Sequence, residues 1–69
     1  MILESTYENK NRKAFVYSST YDTVYTVEYH MNDKLLHRTH HAARNLAEDL
    51  AEDFVAEAGH NPQLLNEEG

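Results

Sequence analysis

The chain has 69 residues, twelve acidic and six basic side chains, a net charge of −6 and no cysteine. That length leaves room for one domain only, and the lack of cysteine excludes disulfides and thiolate metal sites. No apolar run approaches the roughly 20 residues of a membrane span, and Met1-Ile2-Leu3 is too short for a secretory leader, so the expectation is a cytoplasmic protein with no membrane partner.

In chain order, Ile2 to Tyr7 reads as an edge strand with Glu8-Asn9-Lys10-Asn11 as its turn. Lys13 to Ser18 is a second strand, followed by a turn from Ser19 to Asp22. Thr23 to Met31 alternates, with Tyr25, Val27, Tyr29 and Met31 on one face and Val24, Thr26, Glu28 and His30 on the other. β-Branched and aromatic residues at that period suit a half-buried strand. A three-residue loop before it would set Phe15 and Tyr17 beside Val27 and Tyr25, which packs the largest side chains together. Tyr21, at the loop tip, is the aromatic expected to be exposed. Asn32-Asp33 suits a two-residue turn, since both residues tolerate positive φ. Lys34 to Arg38 then returns with Leu36 on the apolar face and His37 opposite Glu28.

Ala43, Leu46, Ala47, Leu50, Ala51, Phe54, Val55 and Ala58 recur at three- and four-residue steps and predict one amphipathic helix over about 40–58. Thr39 suits its N-cap, and Gly59 with Pro62 suits its stop. The predicted fold is α+β: an antiparallel β-meander of three to four strands packed against one C-terminal amphipathic helix. It forms a single domain over 1–59, followed by a tail over 60–69 that carries Leu64-Leu65.

Charge is segregated along this arrangement. Residues 1–41 are neutral overall, and the whole excess belongs to residues 42–69. A chain without a basic face is not expected to bind nucleic acid directly. Within the helix, Glu48 stacks on Glu52, Asp49 on Asp53 and Asp53 on Glu57 at i,i+4, an arrangement that costs about 0.2–0.5 kcal/mol per pair. The macrodipole prefers acids at the start of a helix, whereas Glu57 sits near the end and Arg44 near the start. Solvation of a small protein accounts for such a face. So does docking, and Glu48, Asp49, Glu52, Asp53 and Glu57 are the candidate partner-binding residues, facing a basic patch on another protein.

His30, His37, His40 and His41 collect near the strand-to-helix junction and are the candidate metal ligands, because imidazole and carboxylate suit Zn²⁺. No structural zinc spacing is present, and His37 and His40 fall on different faces if the strand runs on to Thr39. No G-x-S-x-G elbow, phosphate-binding glycine loop or H-E-x-x-H occurs, so no catalytic residue and no cofactor is assigned. The aromatic set Phe15, Tyr17, Tyr25, Tyr29 and Phe54 is expected to be core beneath the helix.

Leu3-Glu4 and Tyr7, Arg12-Lys13-Ala14-Phe15-Val16, Tyr25-Thr26-Val27-Glu28-Tyr29, and the helix stretch Ala47-Glu48-Asp49-Leu50-Ala51-Glu52-Asp53-Phe54-Val55 carry a likeness to known sequences. Over positions 3–59 the chain resembles short uncharacterised accessory proteins of tailed phages infecting marine cyanobacteria. Phe54 stands where that group is expected to carry Trp. The resemblance implies an accessory protein made in the cytoplasm of an infected host cell. A chain of this size then reads as a non-enzymatic interaction protein, a host-takeover factor that binds and modulates a host protein. The alternatives are a homodimeric scaffold whose acidic face is merely solvated, since so small a core favours self-association, and a His-cluster metal protein.

Overall fold

Residues 1–57 are described by the computed structural model, and within them every strand pairs with its neighbour in sequence. Strands β1 (Ile2–Asn9), β2 (Arg12–Ser18), β3 (Tyr25–Met31) and β4 (Lys34–His41) form one antiparallel sheet in that order, and helix α1 (Arg44–Ala56) lies across one face. This is the expected α+β meander with one C-terminal helix, in its four-stranded form.

Turn chemistry sets the two outer hairpins. Asn32 and Asp33 take φ of 54° and 65°, as a two-residue turn with both central residues left-handed requires. Their flanks Met31 and Lys34 are paired. The first hairpin is tighter than expected: Glu8 and Asn9 belong to β1, opposite Lys13 and Arg12, and only Lys10 and Asn11 form the turn. Lys10 adopts φ 56° there. The tips of these hairpins touch, with Asn32 N donating to Asn11 O at 2.9 Å.

The central hairpin corrects the register that packing volume alone suggests. Ser18 pairs with Tyr25, which leaves a six-residue loop, and Val16 therefore faces Val27 while Ala14 faces Tyr29. Phe15 and Tyr17 point to the other side of the sheet, opposite Glu28 and Thr26. A one-residue slip exchanges faces in this way. The helix explains which register wins: its inner row is Ala47, Ala51 and Val55, all buried, and these small residues bring α1 close to Ala14, Val16 and Val27. Two aromatic rings between them would hold the layers apart. Tyr7, Tyr25 and Phe54 border this core.

Strand β4 is longer than expected. The ladder with β3 runs on to Tyr25↔His41, so Thr39 is a strand residue and cannot cap the helix. Helix α1 begins at Arg44 instead of near position 40. Its N-cap is Ala43, extended at φ −114° and ψ 130°, with no side-chain hydrogen bond to the first turn. A bulge at Leu36 shifts the register between Tyr29 and His30, which sets His37 opposite Tyr29 and gives Glu28 to Arg38. Leu36, half exposed, lies outside the core. The expected helix stop at Gly59 and Pro62 and the tail over 60–69 lie outside the described residues.

Candidate functional site

The five helix acids do not form one surface. Glu48 turns toward β1, where Ser5 Oγ donates to its Oε2 at 2.9 Å, Tyr7 OH to its Oε1 at 3.2 Å, and Arg44 Nε to its Oε2 at 2.8 Å. Arg44 Nη1 also lies 3.5 Å from Glu4 Oε1, so three β1 residues, a helix acid and a helix base close one network. The hydrogen bond from Arg44, with that from Ser5, holds the Glu48 carboxyl below the usual carboxylate range. Burial, together with the Glu48 charge, pushes the Tyr7 phenol up. Glu57 is tied down as well, its Oε1 3.6 Å from Arg12 Nη1. Asp49, Glu52 and Asp53 are exposed and have no cation partner among the described residues. The outward acidic surface is therefore three carboxylates, and one like-charge stack, Asp49 on Asp53, remains uncompensated.

The end of α1 is neutralised from the sheet. Arg12, 5% exposed, donates through Nη1 to the backbone oxygen of Phe54 at 3.0 Å, and Asn9 Nδ2 donates to the oxygen of Val55 at 2.9 Å. Carbonyls at a helix C-terminus lack intrahelical partners and carry partial negative charge, so a cation and an amide there satisfy both needs. Nothing in the helix sequence itself marks Arg12, which reaches this end from β2.

The four candidate histidines are divided between the two faces of the sheet. His37 and His41 share the helix side with Tyr29 and Tyr25, and His37 stacks on the Tyr29 ring at 4.6 Å. His30 and His40 lie on the opposite side, His30 Nε2 at 3.3 Å from Glu28 Oε1 and His40 Nδ1 at 3.0 Å from Thr26 Oγ1. Among the described residues no three His, Asp or Glu side chains gather as a metal site, and no cavity is present.

The face of the sheet away from α1 is the feature that the sequence reading did not anticipate. It carries Leu3, Phe15, Tyr17 and Leu35, with the Glu28–Arg38 pair at its centre. Phe15 meets the His30 ring edge-on at 4.9 Å and the Tyr17 ring at 6.4 Å. Arg38 Nε donates to Glu28 Oε2 at 2.9 Å, and this bond, aided by His30, lowers the Glu28 carboxyl below its usual range. Tyr17 is raised, chiefly by burial and then by the Glu28 charge. The signal was present in the β2 pattern: Ala14 and Val16 match the small inner row of the helix, whereas Phe15 and Tyr17 do not.

No helix among the described residues is long and apolar enough to cross a membrane. Neither a family model, nor a curated protein, nor a solved structure matches the chain.

Proposed function

We propose that the protein is a small non-enzymatic interaction protein that binds a host protein through the outer face of α1. The resemblance to accessory proteins of cyanobacterial phages supplies the setting, the cytoplasm of an infected cell, in which such a chain modulates a host factor. The observation that carries this reading is the separation of the helix acids. Glu48 and Glu57 are engaged within the chain, while Asp49, Glu52 and Asp53 are exposed together with no cation partner among the described residues. Three carboxylates held on a rigid helix complement a basic patch and speed its encounter.

Affinity capture of the tagged chain from host lysate, with nuclease treatment, tests the reading. One stoichiometric, nuclease-resistant protein partner is expected, and its capture should fall at least tenfold with Asp49→Lys and Asp53→Lys while circular dichroism still reports the folded chain. Capture unchanged by both reversals would sink the docking face. Loss of the partner on nuclease treatment would sink the protein–protein reading.

A further inference from the structure

We propose that the uncovered face of the sheet is an interface between two copies of this chain. The argument is independent of the acidic helix. Helix α1 covers one side of the sheet only, and the other side holds four apolar residues: Phe15 and Tyr17, half-buried, and Leu3 and Leu35, 51% and 41% exposed. Apolar residues gathered on one sheet face mark an interaction surface more strongly than scattered ones do.

The charges on this face identify the occupant. Its strands carry Glu8, Lys13, Glu28 and Arg38, two of each sign, with Asp33 at the rim 3.4 Å from Lys13, in contrast to the exposed acids Asp49, Glu52 and Asp53 of α1. In a two-fold interface the same patch meets itself, so a self-complementary surface must carry both signs in balance. A partner of one strong charge would be drawn to the helix instead. The central pair, Glu28 with Arg38, is hydrogen-bonded within one copy, so covering it leaves no unpaired charge.

The sheet edges are poor alternatives. Both edge strands are irregular, β1 between Leu3 and Ser5 and β4 at Leu36, and such breaks blunt strand-to-strand addition. The face itself measures roughly 19 by 23 Å from standard strand spacing and rise, so two copies bury about 900 Å². That lies below the size of permanent interfaces and fits a weak, reversible dimer.

Sedimentation equilibrium of the purified full chain from about 1 μM to about 1 mM tests this. A monomer–dimer equilibrium is expected, weakened at least tenfold by Leu3→Lys and by Leu35→Lys, both at exposed positions where folding, checked by circular dichroism, is retained. Asp49→Lys with Asp53→Lys should leave the dimer unchanged. A chain monomeric throughout overturns the proposal and leaves the face to another occupant, as does a dimer that survives both leucine variants. Because no lysate is involved, either failure leaves the helix-docking reading standing on its own test.

Discussion

Arg12 grips Phe54 twice: its Nη1 hydrogen-bonds the Phe54 backbone oxygen at 3.0 Å, and its guanidinium carbon sits 4.9 Å from the centre of the Phe54 ring. The same side chain reaches Glu57 and is almost wholly buried. One strand residue thus fixes the end of the helix, its ring and its last acid. Arg12→Ala should destabilise the fold by about 2–3 kcal/mol, the range for a buried charge-assisted hydrogen bond. Arg12→Lys should recover only part, because an ammonium lacks the planar fork. Urea unfolding checks both, and an unchanged midpoint for Arg12→Ala would refute the assignment.

The start of α1 offers the opposite test. Ala43 already has the extended backbone of an N-cap but supplies no acceptor, and the first turn holds no acid. Ala43→Asp should add about 1 kcal/mol through a cap hydrogen bond and a favourable dipole interaction. Thermal melting at neutral pH should show the gain. Thr39→Ala, in contrast, should leave helix content unchanged, since Thr39 bonds Tyr29 and His41 within the sheet layer.

Acid should loosen the helix–β1 seam. The Glu48 carboxyl titrates below its ordinary 4.5 in the folded chain, and Glu28 does likewise. A depressed folded value contributes stability that is present above the unfolded value and is lost as pH falls through the folded one. The window therefore opens below about pH 4.5. Glu48→Gln should be less stable than the parent at pH 7 and should converge on it as pH falls through the folded value. Parallel stability curves across that range would show that Glu48 is not linked to folding.

At the first turn, Lys10 holds φ 56°, a region that costs a residue with a Cβ about 1 kcal/mol or more. Lys10→Gly should raise stability by about 0.5–1 kcal/mol, measurable as a higher urea midpoint. Lys10→Val should lower it, because β-branching resists that conformation. The reverse order would mean that the turn is not left-handed at this residue.

How far the fold was legible depends on what each signal is made of. Alternation in β3, the Asn32-Asp33 turn and the three–four spacing of α1 are local patterns, and each marked its element. Register is set by partners distant in sequence. Placing Phe15 and Tyr17 under the helix followed volume, whereas the short Ala47 and Ala51 side chains, 30 and more residues away, decide the matter. Thr39 failed as a cap for the same reason, since the ladder with β3 outbids a single side-chain bond. Of the candidate site, the acidic stripe was visible, but its division was not, because Ser5, Tyr7 and Arg12 come to Glu48 and Glu57 from two strands.

The connectivity bears on the sequence of folding events. Each strand pairs with the one beside it in the chain, and the hydrogen bonds that span 41 to 46 residues all end on α1. Hairpins close cheaply, and docking the helix is the one long closure. Changes at Lys10 or Asn32 should therefore move the folding rate. Changes at Glu48, Asn9 or Arg12 should act chiefly by speeding unfolding, so that the lifetime of the native chain is governed by how long the helix stays seated.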